Sequence, residues 1–589
     1  MPAFAQAPAP APRVTMNGLI DNVTVWGSNA FDLNFSSKKE SLWGSRTRGV
    51  FSFTGEVGKA KGVLALEFDF GWGQVSGSES VASIGGGATS INSSAGSIGA
   101  QQRSFQSGGF DLNNDTQGGI EVKSLYVEFP IPVIPLPTVM RLGGQPFQTT
   151  YKPSVMATGD YGGVWFSTVI TPFLKYNFTF AQAEEDDVGF RANNNFFRGD
   201  DFLVVQSVDI EPFKGLNLRP LWAWYHIYGN SFSESRCRLA CSGLPFNGAM
   251  AAQSQFTGGV LPPTLGNYRQ NSQEERHYFG IDARLTLGPF YLDPTFIYEL
   301  SNVDVYRGGG HPGATVTPAA LCATLVAGLT QGCGQRVHQG TNSFLVDIRG
   351  GWRLGPLLLE GLVIWTPGDD AQHDSFKSTK VYHAVTTDGG YGLSWQEILS
   401  PGGVDYFTGN GVSMGFNTGL GRYGRRTIGT KATYSVTPAL DVNFKVSANW
   451  TDTKVDIDAP ASSPASGSFS VAPCGTPGGN VTSSAAGFGA GAGPLGQIAG
   501  SPGPAGSQLR AAYNACLASP FGENRFIGVE LGPGITYRFS PGLTFDAVYA
   551  HLFTGGALDS SYFDFAGIYR NRVSAKDADV FAARVRYQF

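Results

Sequence analysis

The chain closes on "DVFAARVRYQF", Asp579 to Phe589. In an extended strand Phe581, Ala583, Val585, Tyr587 and Phe589 share one face, and Ala582, Arg584, Arg586 and Gln588 share the other. A strand that is apolar on one side and carries arginines on the other separates an apolar phase from water. The same period of two recurs upstream. "VLALEFDFGWG" (Val63–Gly73) sets Leu64, Leu66, Phe68, Phe70 and Trp72 against Ala65, Glu67, Asp69 and Gly71. "SFLVDIRGGWRL" sets Phe344, Val346, Ile348 and Trp352 against Asp347, Arg349 and Arg353. "DVNFKVSANWT" sets Val442, Phe444, Val446, Ala448 and Trp450 against Asn443, Lys445, Ser447 and Asn449. These are strands with one apolar face.

Composition agrees. Of 589 residues, 80 are glycine, 13% are aromatic and only 15% are charged, against a usual charged share of roughly 25%. A net charge of −5 leaves no basic excess for a nucleic-acid partner. No run of about 18 apolar residues marks a transmembrane helix, and the most apolar stretch, "PIPVIPLPTVM", is broken by prolines. A bilayer also admits closed β-barrels, whose short alternating segments a hydropathy average hides. Residues 1–12, "MPAFAQAPAPAP", read as a signal-peptide remnant ending in Ala3-Phe4-Ala5 or as a disordered leader.

Alternation and turn residues place strands near 13–26, 43–56, 62–73, 119–129, 138–147, 161–170, 173–183, 201–211, 216–228, 275–287, 290–303, 342–354, 357–366, 426–436, 441–453, 524–539, 543–553 and 578–589. That is 18, with 16 as the alternative count. Short turns such as "EVGKAKG", "LGPF" and "SPGL" alternate with long Gly/Ser/Ala-rich segments near 74–118, 231–274, 304–341, 366–425 and 454–523. Loops sorted by length this way imply an all-β transmembrane antiparallel barrel over residues 13–589, with short periplasmic turns and long extracellular loops. Closure requires Val14–Trp26 to pair with Asp579–Phe589, which removes the last sheet edge. Pro294 and Pro533 fall inside expected strands, where each costs a ladder bond.

Several motifs, in order, resemble the general porins of Gram-negative outer membranes. "VTMNGLIDNVTV" (Val14–Val25) resembles their first strand, although Asn17 stands where tyrosine is usual. "WGSRTRGVFSFTGEVGKAKGVLALEFDFG" resembles their second hairpin, and "RLGGQPFQTTYKPS" the strand leading to their third loop, with Gly144 in place of an arginine. The closing strand resembles their C-terminal assembly signal, carried by Tyr587 and Phe589. The likeness covers residues 14–180 and 578–589; an 18-strand barrel with long loops would look more like the substrate-selective porins.

The resemblance implies a third loop, about 148–160, folded inward to narrow the pore, and a homotrimer in a lipid and lipopolysaccharide membrane. Lys152 and Asp160 would lie on that loop. Parity sends Arg46, Arg48, Glu67, Asp69 and Arg141 into the lumen, as it does Arg584 and Arg586. Opposed charges across a narrow channel orient polar solutes and set ion preference. The further inward charges, Asp282, Arg284, Asp347, Arg349, Glu360, Lys431, Lys445, Glu530 and Arg538, are mixed in sign. The cysteines pair by position as Cys237 with Cys241, Cys322 with Cys333 and Cys474 with Cys516, three loop disulfides in an oxidising compartment. No metal-ligand spacing, cofactor motif or catalytic motif stands out. The expected function is a non-enzymatic, water-filled outer-membrane channel through which small hydrophilic solutes and ions diffuse passively, filtered by size and charge. The alternative is a structural barrel, such as a sheath for an electron-transfer partner or a surface-layer protein.

Overall fold

The computed structural model describes residues 11–28, 41–71, 120–152, 155–184, 201–227, 274–306, 336–368, 378–380, 382, 385–387, 395–399, 424–455, 524–557, 560–563, 570–573 and 576–589. The wall strands are β1 (Arg13–Ser28), β2 (Ser41–Val57), β3 (Ala60–Gly71), β4 (Ile120–Pro130), β5 (Thr138–Gln148), β6 (Ala157–Thr171), β7 (Leu174–Glu184), β8 (Asp201–Phe213) and β9 (Leu216–Ile227). They continue as β10 (Glu274–Leu287), β11 (Phe290–Tyr306), β12 (Arg336–Leu354), β13 (Leu357–Thr366), β14 (Arg425–Ser435), β15 (Leu440–Val455), β16 (Asn524–Ser540), β17 (Leu543–Thr554) and β18 (Ala578–Gln588). The main sheet holds 20 strands; two of them, Ser378–Thr379 and Thr386–Thr387, are two-residue parallel additions, which leaves 18 in the closed wall. Consecutive wall strands pair antiparallel, and the shortest, β13, has 10 residues, enough to cross a bilayer when tilted.

The seam closes. Leu19 to Ser28 of β1 pair with Gln588 to Asp579 of β18. The Gly18 N–H donates to the Phe589 carbonyl at 2.8 Å, and the Phe589 N–H donates back at 3.0 Å. The Phe589 ring lies over Gly18, where a Cβ would fall 2.1 Å from the ring. Only glycine leaves the last aromatic room to lie flat across the first strand.

Parity sets the two faces. Ile281, Phe296, Ile348, Val363, Ile428, Phe444, Ile535 and Phe581 are exposed on the outside. Their alternates Asp282, Thr295, Asp347, Leu362, Thr427, Lys445 and Ala582 are buried inside. An exposed apolar belt of this extent suits lipid and would aggregate in water. Aromatics mark its rims: Trp352, Tyr537, Phe539, Tyr587 and Phe589 at the short-turn end, Trp26, Trp43 and Trp365 at the other.

Both prolines sit inside strands without a register shift. Beside Pro294 the β10–β11 ladder lapses between Asp282↔Thr295 and Leu285↔Leu292, while Pro294 still lies opposite Ile348. Beside Pro533 the β16–β17 ladder lapses between Leu531↔His551 and Gly534↔Val548, while Pro533 lies opposite Phe444. Each strand gives up pairing on one side and keeps it on the other.

Candidate functional site

The hairpin β5–β6 leaves the wall. Pairing of β5 with β4 ends at Leu125↔Gly144, and pairing of β6 with β7 ends at Gly162↔Gln182. Pairing between β5 and β6 runs on from Gly144↔Gly162 to Gln148↔Thr158. The fork is built from glycine. Gly143 has a φ of 123°, and a Cβ there would fall 2.3 Å from the Leu125 carbonyl. A Cβ on Gly163 would fall 2.0 Å from the Phe180 carbonyl. The buried Gln145 amide donates to the Gly163 carbonyl at 3.0 Å and to the Arg141 carbonyl at 3.3 Å, tying β5 to β6 just wallward of the fork.

Beyond the fork the hairpin crosses the lumen face of β7–β12. Phe147, Val155 and Met156 pack with Leu203, Val205, Leu221, Ala223, Tyr225, Tyr278, Ile297 and Leu345. Burying side chains of this size stabilises the folded-in position by roughly 1.5–3 kcal/mol each. The tip is held by charge. Lys152 donates to the carbonyls of Asp293 at 2.6 Å and Asp347 at 3.2 Å. Asp293 adjoins the ladder gap beside Pro294. Burial pulls the Lys152 ammonium below its ordinary value, against the pull of Asp347 and Asp282. The Tyr151 N–H donates to Asp282, and the Tyr151 carbonyl accepts from Arg284 at 2.8 Å. Its ring lies 4.2 Å from the Arg219 guanidinium and 4.7 Å from that of Arg284. Burial first, and then Asp209 and Asp282, push the Tyr151 hydroxyl up to about 12.

A second inward element comes from between β13 and β14, where no alternation marks a strand. The Val385 N–H donates to the Met156 carbonyl at 2.8 Å, the Tyr382 hydroxyl to the Val155 carbonyl at 2.8 Å, and Thr386–Thr387 pairs in parallel with Ala157–Thr158. Residues 395–399 lie on the inner wall of β13–β16, with Trp395 against Leu362 and Ile364.

Across from these covered walls runs a charged arc on β17, β18 and β1–β4. Arg48 is ion-paired with Glu67. Lys123 stands 2.8 Å from Glu67 and 3.4 Å from Asp160, at the base of the inward hairpin. Arg586 donates to Asp21 at 2.6 Å, and Arg584 to Asp546 at 2.8 Å. The structure therefore brings Arg48, Glu67 and Asp160 together, and sets Arg584 and Arg586 on the same arc.

Arg141 faces inward as parity expects but stands apart from Arg48. It pairs with Glu128 at 2.7 Å and lies against Tyr126 and Trp165, near the short turn after β4. Glu128 also meets Lys61 at 2.7 Å, and six residues separate Lys61 from Glu67, roughly 20 Å along a strand. Parity fixes the side of the wall and leaves the height open. Lys123 was not legible, because the register shifts from Ala65↔Ser124 to Leu66↔Val122. This bulge leaves Val122 and Leu125 both exposed and turns the pair between them inward. The side chains of Arg46 and Asp69, all six cysteines, Trp72 and residues 1–10 lie outside the described residues.

Fold and site define a transmembrane β-barrel with 18 wall strands, an inward hairpin and one charged arc on the wall across from it. No family model matches the chain, and no curated protein matches it. Among solved structures it is similar to Pseudomonas aeruginosa OpdQ, at 8% identity over 98% of each chain with a TM-score of 0.41. It is also similar to Pseudomonas aeruginosa OccK8 (OprE), at 9% identity over 98% of each chain and a TM-score of 0.41. Acinetobacter baumannii OccAB1 aligns at 11% identity over 98% of this chain and 96% of its own, with a TM-score of 0.39. Likeness of that degree leaves the fold resting on the strand register itself.

Proposed function

We propose that this chain is an outer-membrane channel of a Gram-negative bacterium, a porin through which small hydrophilic solutes and ions diffuse without energy input. One observation carries the reading. A closed wall with an apolar exterior encloses an arc of ion-paired Arg48, Glu67, Lys123 and Asp160 that the described inward segments leave uncovered. Charges of both signs lining a narrow passage filter solutes by size and charge. Asp160 belongs to the hairpin and Arg48 to the wall, and the passage would run alongside the ion-paired arc that links them. Assembly as a homotrimer among lipid and lipopolysaccharide belongs to the same proposal, and chemical cross-linking in native membranes tests it.

The structural-barrel reading draws on the apolar cluster around Tyr225, Tyr278 and Leu345, which fills one side of the interior. Planar-bilayer recording separates the two. A porin gives stepwise ion conductance; a closed, folded barrel without steps ends the channel reading.

A further inference from the structure

Residues 395–399 are fixed to the wall by an unusual contact. Glu530 of β16 is 2% exposed. Its carboxylate accepts the backbone N–H groups of Glu397 at 2.5 Å, Ile398 at 3.2 Å and Leu399 at 3.0 Å. Successive amides converging on one carboxylate form an anion nest, and charge-assisted bonds of this kind are about twice as strong as neutral ones. Neighbouring contacts hold the same segment. Lys445 donates to the Glu397 carboxylate at 2.8 Å, and the Gln396 amide donates to Ser447 at 2.9 Å and Asn449 at 2.6 Å.

These groups do not close the barrel. The ladders on both sides of Glu530 are continuous there, with Ser447 opposite it on β15 and Leu552 on β17. Its carboxylate is spent on a segment that adds nothing to the wall. β16 also borders the charged arc that begins at β17.

We propose that Glu530 is a positioning residue: its carboxylate latches residues 395–399 to the wall and so sets how far they reach into the passage beside the charged arc. The latch rests on the channel reading. Glu530→Ala removes the acceptor of three amides and leaves the segment tied by side chains alone. Glu530→Gln keeps one acceptor oxygen and removes the charge.

Single-channel recording of the wild-type chain, both variants and the control Glu360→Gln tests it, with heat-modifiable gel migration reporting the folded barrel. Glu360 is another inward carboxylate on the same side of the wall, bound to Tyr291 and Lys431 and not to the amides of the segment. Glu530→Ala is expected to give larger, noisier steps than wild type, Glu530→Gln intermediate ones, and Glu360→Gln wild-type steps. Wild-type steps from folded Glu530→Ala overturn the latch, as does an equal gain from Glu360→Gln. If Glu530→Ala does not assemble, Glu530→Gln against Glu360→Gln decides alone.

A wild-type chain that assembles and never conducts fails the channel reading instead. The latch then stands on a second readout. Ile398, fully buried, is replaced by cysteine, and labelling at that position is located by mass spectrometry. Labelling should be slow with Glu530 present and fast with Glu530→Ala; equal rates sink the latch.

Discussion

The two sides of the barrel interior are built on opposite principles. Along β7–β12 the wall offers Leu203, Ala223, Tyr225, Tyr278, Ile297 and Leu345 to the hairpin, and the contact is packed like a domain core. Along β17, β18 and β1–β4 the wall offers Arg584, Arg586, Arg48 and Lys123, each met by a carboxylate. One side holds the hairpin in place by apolar burial, with buried charge contacts at its tip, and the other keeps charge in a passage. Substitutions on the first side should change stability, and those on the second selectivity.

The largest expected loss follows Leu345→Ala, on the packed side. The side chain is fully buried beneath the hairpin, and its removal should cost about 2–5 kcal/mol, read by denaturant unfolding of the refolded barrel. A cost below about 1 kcal/mol would mean that this side is solvated like the other, and the contrast would collapse. Next comes Gln145→Ala at the fork. It removes the buried amide that bridges the Gly163 and Arg141 carbonyls across the base of the hairpin, at about 1–3 kcal/mol, and the same titration measures it.

A smaller effect is confined to high pH. The Tyr151 hydroxyl, raised from 10.0 to about 12, keeps its proton longer folded than unfolded. Its contribution is complete below pH 10 and is lost as pH climbs through 12. Wild type should therefore lose more stability over that window than Tyr151→Phe; parallel curves would contradict the buried tip. Lys123→Met, on the charged side, should have the smallest stability cost, because Glu67 keeps Arg48 as its partner. It leaves Glu67 and Asp160 with one cation fewer and should shift the reversal potential in a salt gradient toward cations. Arg141→Met, paired with Glu128 at another height, should shift it less.

Most of the wall was legible in the sequence. Period-two alternation and glycine-rich turns mark every wall strand, with β12 starting six residues before its expected start, because lipid on one side and water or buried polar groups on the other impose the same parity throughout. Height was not legible. Arg141 and Arg48 share a parity and end far apart, since register and shear decide where a side chain sits along the axis. The bulge at Lys123 was hidden because one inserted residue leaves the local composition unchanged. The segment at 395–399 has no periodicity. Its place depends on Glu530, 131 to 133 residues away in sequence.

Thiol accessibility tests the division of the lumen most directly. Lys123→Cys and Ala223→Cys place one new thiol on each side, and the native chain controls for its own cysteines. A charged, membrane-impermeant thiol reagent added during planar-bilayer recording should lower the conductance of Lys123→Cys and leave that of Ala223→Cys unchanged. Block of Ala223→Cys with no effect on Lys123→Cys would put the passage on the packed side and contradict the account.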